Sequence, residues 1–182
     1  RRFDVRDYEP GTTLRVGALE IEAVPVPHDA PQVALRIAAD GKALGVATDV
    51  GHATAPLAAL LARCDAAIVE ANHCPEMLAT GPYPWRLKAR VGGPLGHLSN
   101  TQSAALAARL VGSRLSRIWL GHLSRSNNTP ERALETVAEA ARGIAVEVLP
   151  DGAVCALEVR AGRAVQLALP YGGAEPEAGH DL

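Results

Sequence analysis

Aromatic side chains are nearly missing from this sequence, at 3% of its residues, so any core has to be assembled from Val, Leu, Ile and Ala. Cysteine is sparse as well: Cys64, Cys74 and Cys155 are odd in number and show no CxxC or paired spacing. That pattern argues against a disulfide framework and fits a reducing compartment, with the cytoplasm as the default. No apolar run approaches the roughly 20 residues of a membrane span, so no membrane partner is expected. A dominant charge is lacking too. The 18 Lys and Arg against 20 Asp and Glu leave a formal net charge of −2, which argues against a general polyanion-binding surface but permits a local basic patch. Methionine occurs once, at Met77, and the chain opens RRFDVRDYEP without it. The sequence is therefore expected to start within a longer protein.

What is present is the composition of one globular domain: 182 residues, 48% hydrophobic and 21% charged. Thr12 to Val26 alternates with period 2 around Gly17 and Ala18, which predicts a hairpin of two short strands. QVALRIAADGKALGVATD reads as two more strands joined at Asp40-Gly41, the second running to Asp49. Ala55 to Arg63 has helical periodicity, and the short continuous apolar run in DAAIVEAN predicts a buried strand. Pro75 to Gly96 is rich in Pro and Gly and reads as a loop with one short helix at Trp85 to Arg90. Ser99 or Asn100 can cap the helix TQSAALAARLVG, and RIWLGHLS follows as a strand. Thr129 and Pro130 open a last helix, and strands are expected at AVEVL, AVCALEV and AVQLAL. The predicted fold class is layered α/β, with a domain over residues 1–170 and a disordered tail at 171–182.

Several residues able to bind metal fall at the ends of the predicted strands: His28, Asp49, Glu70 with His73, and His122, joined by His97 just before a helix. Strand ends are held by the sheet while the loops beyond them open to solvent, so side chains from separate strands can converge at one rim. Imidazole and carboxylate donors suit zinc, manganese or iron, and an aspartate can bridge two cations. Each residue also has a plain structural role open to it: Asp49 as a turn former, Glu70 as a lone charge, Ser99 and Asn100 as helix caps. His52 and His180 lie in a loop and a tail and are assigned no function.

The segments VPHDAPQVALRI, GVATDVG, AAIVEANH, GHLSNTQSAAL and IWLGHLSRSNN, in that order, closely resemble the C-terminal portion of the metallo-β-lactamase superfamily. EANHCPEMLATGPYPWRLKARV running into GHLSN resembles its WalJ/YycJ-type hydrolases in particular. The similarity extends from about Val24 to Val137, and five short motifs in fixed order are a specific signal.

That resemblance implies the C-terminal portion of an αββα sandwich and a site with two divalent metal ions, zinc or manganese. His28 and His122 resemble the histidines that hold one metal each, and Asp49 the aspartate that bridges them. Glu70 and His97 resemble the acidic residue and histidine placed beside the metals, where the histidine can protonate a departing oxygen. His73, Ser99, Asn127 and Asn128 are candidates to orient ligands or touch substrate. The superfamily's His-x-His-x-Asp-His motif is not found in these 182 residues, so both metal shells are expected to be incomplete in this chain, its missing partner being the N-terminal half of the same domain. The implied activity is metal-dependent hydrolysis of a phosphodiester, with DNA as substrate and an exonuclease action, by the longer protein; this chain alone is expected to be inactive. Two other readings remain open: hydrolysis of a small ester, thioester or lactam on the same site, and a non-catalytic interaction module. A basic groove beside the metals, to which Arg86, Lys88, Arg90 and Arg125 contribute, would favour the phosphodiester over the small ester, thioester or lactam.

Overall fold

A computed structural model describes residues 9, 11–152, 155–159 and 165–168 of the chain. The expected tail at 171–182 and the domain end at 170 lie outside the described residues. The opening alternation folds into two antiparallel hairpins. β1 (Thr13–Val16) pairs with β2 (Leu19–Val26), and β2 with β3 (Gln32–Ala39). Between β3 and β4 (Lys42–Ala47) the chain reverses through Asp40 at φ 49° and Gly41 at φ 72°. Two successive positive φ angles match the twist of a tight hairpin, and Asp-Gly reaches them at little steric cost.

After β4 the connections become helical crossovers. α1 (Ala55–Leu61) leads to β5 (Ala66–Glu70), and α2 (Pro75–Thr80), α3 (Trp85–Val91) and α4 (Asn100–Leu110) lead to β6 (Arg117–Gly121). α5 (Pro130–Ala140) leads to β7 (Ala145–Val148), while β8 (Cys155–Glu158) and β9 (Val165–Ala168) form a separate antiparallel pair. Among the described residues the main sheet has seven strands in the order β1 to β7, antiparallel up to β4 and parallel from β4 onward. Side-chain alternation along the central strands divides the core. Val69, Ile118 and Leu120 pack with Leu57, Leu61, Leu106, Leu110 and Val137 of the helices, while Ala66 and Trp119 pack on the opposite face with Leu44, Ile68, Leu149, Leu157 and Val159. Each fully buried leucine contributes about 1.5–3 kcal/mol.

Two sequence expectations need amending. β4 stops at Ala47, short of Asp49, because Asp49 has φ 57° and leaves the ladder. Residues 75–80, read as loop, form α2; Pro75 and Glu76 mark its first turn but Cys74 makes no side-chain cap, and the prolines and glycines from Gly81 to Gly96 masked so short a helix.

Topology decides where a site can form. β2 is antiparallel to β3 and β3 to β4, so β2 points the same way as the parallel set. The carboxyl ends of β2, β4, β5 and β6 therefore share one edge of the sheet, the edge at which open α/β sheets bind ligands.

Candidate metal centre

His28 stands two residues past β2, Asp49 two past β4, Glu70 at the end of β5 and His122 one past β6. His97 joins them from the loop that enters α4. One ligand atom from each of Asp49, Glu70, His97 and His122 lies within 4.8 Å of the other three. His28 completes the row: its ring centroid is 5.1 Å from that of His97, which is 5.2 Å from that of His122. The structure thus brings all five candidates to one edge.

Glu70, with no exposed surface, organises the group. Its Oε2 accepts hydrogen bonds from the Asp49 backbone N–H at 2.6 Å and from His122 Nδ1 at 2.8 Å, with His97 Nδ1 at 3.3 Å. Its Oε1 accepts from the Leu98 N–H at 2.7 Å. Burial works to raise the Glu70 pKa, but the bonds from His122 and His97 outweigh it and hold the carboxyl below its ordinary value. In return the Glu70 bond raises the His122 pKa against the opposing effect of burial, and the charges of Glu70 and Asp49 add to the rise.

His28 is oriented by a backbone carbonyl. Its Nδ1 lies 2.9 Å from Gly96 O, which can only accept, so Nδ1 carries a proton. In the neutral ring Nε2 then keeps a lone pair, and it faces Asp49 Oδ1 at 3.8 Å and Asp29 Oδ1 at 3.2 Å. A lone pair opposed by two carboxylate oxygens calls for a positive charge between them, a proton or a cation. That is the fit expected of a metal-binding donor set. Gly96 is sterically required: a Cβ there would sit 2.2 Å from the carbonyl oxygens of Arg90 and Val91.

Asp49 and His122 both adopt left-handed backbone, at φ 57° and 56°. Asp and His are among the few non-glycine residues that tolerate this region. The turn directs each side chain off its strand and across the sheet edge. Gln32 steadies Asp49, its Nε2 donating to Oδ2 at 3.1 Å, and Asn72 Nδ2 donates to the His122 carbonyl at 3.0 Å.

The remaining candidates divide. Ser99 is committed to α4 through a reciprocal capping box with Gln102. Asn128 exchanges amide hydrogen bonds with Asn100 at 2.8 and 2.9 Å and donates to Ala71 O. These contacts fix loops. His73 and Asn127 are different: His73 Nδ1 and Asn127 Oδ1 are buried with no hydrogen-bond partner among the described residues. Burial lowers the His73 pKa, the Glu70 charge opposing it, which favours the neutral ring. Sequence reasoning missed Gln32, Asp29, Asn72 and the Gly96 carbonyl. The polar residues carry no distinctive spacing, and a carbonyl carries no sequence signal at all; only the glycine-rich GGPLG loop hints at a close approach.

The family described as the β-lactamase superfamily domain matches residues 1–123. The exodeoxyribonuclease WalJ of Streptococcus pneumoniae is 40% identical over 146 residues, 77% of this chain and 54% of that protein. The exodeoxyribonuclease YycJ of Bacillus anthracis is 30% identical over 133 residues, 72% and 50% respectively. The chain therefore spans about half the length of these relatives. Among solved structures, the metallo-β-lactamase fold protein YhfI of Bacillus subtilis superposes with a TM-score of 0.61 at 15% identity, covering 87% of this chain and 53% of that one. Zinc-bound PqqB of Methylobacterium extorquens does so with a TM-score of 0.57 at 22% identity, covering 80% and 53%. At those identities the structural likeness shows the fold alone.

Proposed function

The chain belongs to the metallo-β-lactamase superfamily, in its WalJ/YycJ-type branch, and from that membership we propose that it forms part of a divalent-metal-dependent phosphodiesterase that degrades DNA from an end. The observation that carries the proposal is the meeting of His28, Asp49, His97 and His122 at one sheet edge around a fully buried Glu70.

His28 and Asp49 would hold one zinc or manganese ion, and Asp49 and His122 a second. These donors fill each shell only in part, since a catalytic zinc takes three protein ligands; we assign the rest to polypeptide beyond the 182 residues. Bound there, the ions supply Lewis acidity, moving the pKa of water from about 15.7 towards about 7. Glu70 holds the Asp49 backbone and the Nδ1 edges of His97 and His122, leaving Nε2 of each ring for its task. For His122 that task is coordination. For His97 it is to hand a proton to the departing oxygen. His73 and Asn127 each keep one buried atom unpartnered among the described residues, which supports a role in shaping the site, whereas Ser99 and Asn128 serve the surrounding loops. A reducing compartment, the cytoplasm, suits the free thiols Cys64 and Cys74.

The test is hydrolysis by the complete gene product, supplied with manganese or zinc, on end-labelled single- and double-stranded DNA. Chelator-sensitive release of mononucleotides is expected. Cleavage of a thioester or lactam with DNA untouched would overturn the substrate, and binding of metal without hydrolysis of either would favour an interaction module.

A further inference from the structure

We propose that Trp85 is a stacking platform for one base of a single DNA strand whose phosphates follow α3 to the metal centre, an inference that rests on the DNA-directed reading of that site. Trp85 is 73% exposed in a chain with two tryptophans, the other of which, Trp119, is fully buried. The Arg86 guanidinium lies 5.6 Å from the centroid of the Trp85 ring. This cation–π contact steadies the indole and leaves it another face for a partner. α3 reads WRLKARV, with three cations and no acid. Arg86 makes no ion pair among the described residues, and its charge suits a phosphate.

Direction along the helix connects the ring to the site. Arg86 and Arg90 are four residues apart and so lie on one helix face. Arg90 Nε donates to Asp29 Oδ2 at 2.5 Å, and Asp29 Oδ1 is 3.2 Å from His28 Nε2. The helix row that carries Arg86, the partner of the Trp85 ring, is therefore the one that ends at the metal-binding edge. Lys88 Nζ donates to Ala79 O at 2.6 Å and ties α3 to α2, so the track is held in place. Five residues of helix rise about 7.5 Å, so the ring stands within a few nucleotides of the metal-binding edge. In a duplex both faces of an internal base are already stacked, whereas a single strand offers free π-faces, and aromatic platforms take those without sequence preference.

The experiment is binding of a fluorescent oligo(dT) to the complete gene product with metals chelated, so that affinity is read without hydrolysis. Trp85→Ala should weaken binding roughly 10-fold, within the range of about 5- to 150-fold that loss of one stacked base produces. Trp85→Phe should restore most of the affinity, and neither should alter affinity for blunt duplex DNA. Among oligomers each carrying one abasic site within the first few nucleotides of the end, one position should cost wild type the same factor and cost Trp85→Ala nothing further. Equal affinity of wild type and Trp85→Ala would overturn the platform, as would an equal loss in Trp85→Phe. An indole shielded from acrylamide in the unliganded protein would also overturn it, by showing that protein covers the ring. Trp85-dependent binding in a protein that never cleaves DNA would sink the catalytic reading while supporting the platform.

Discussion

The Asp49 backbone N–H donates to Glu70 Oε2 at 2.6 Å, so a carboxylate with no exposed surface fixes the position of the aspartate proposed to bridge the metals. The same oxygen receives His122 Nδ1, and the other oxygen receives the Leu98 N–H that leads into α4. Glu70 therefore sets the relative positions of three chain segments before any cation arrives. A preset donor arrangement of this kind lowers the reorganisation that binding requires.

Asp49→Asn should separate charge from conformation. Asparagine tolerates the left-handed backbone at φ 57°, so the turn should persist while the bridging carboxylate is lost. In the complete protein, elemental analysis after desalting should find one ion per chain or none. Two retained ions would rule out Asp49 as the bridge.

The raised His122 pKa gives the metal-free protein a pH dependence of definite sign. Stability from the protonated His122–Glu70 pair is fully present below the unfolded histidine value of about 6.5 and is lost as pH rises through the higher folded value. NMR titration should place His122 above the ordinary histidine value, and Glu70→Gln should bring it down. Cation binding should accordingly release protons and tighten from pH 6 to pH 8.

Asp65 offers a second linkage of opposite sign. It accepts from the Ala43 N–H at 2.8 Å and from Arg114 Nη2 at 2.8 Å. Burial acts to raise its pKa, but Arg114 and the Ala43 bond leave it lowered. Its contribution should hold above the unfolded aspartate value of about 3.9 and fade as pH falls through the lower folded value. Urea unfolding at pH 7 should show Asp65→Ala less stable by about 1–3 kcal/mol, because it strands the Ala43 N–H.

Removing one member of the Asn100–Asn128 pair should cost more than its size indicates. Asn128→Ala would leave the Asn100 amide, the Ala71 carbonyl and the Thr129 N–H without their partner. A loss of about 2–4 kcal/mol is expected from the several buried groups unmade, read as a lower urea midpoint at unchanged m-value. A change under about 0.5 kcal/mol, the size typical of a surface substitution, would show that the loops stand without the pair.

Local chemistry was legible in the sequence where it acts locally. The Asp40-Gly41 turn, a cap at Ser99 or Asn100, which the structure resolves as Ser99, and the Thr129-Pro130 helix start each lie within a few residues and were readable. So were the residue types at the strand ends. Two features were not. α2 is only six residues long and is followed by a stretch rich in proline and glycine, and the contacts that orient the site join positions far apart, such as His28 with Gly96 across 68 residues and Asp29 with Arg90 across 61. Nothing in residue spacing reports a carbonyl's direction; it follows from how the GGPLG loop is forced past the end of α3.

The paired left-handed turns at Asp49 and His122 limit how this edge can change. Any replacement has to satisfy the main chain before it can offer a new donor atom, and β-branched side chains fail at that first requirement. Selection or redesign for another cation has more freedom at His28, whose backbone makes no left-handed turn, so variation in metal preference should concentrate there.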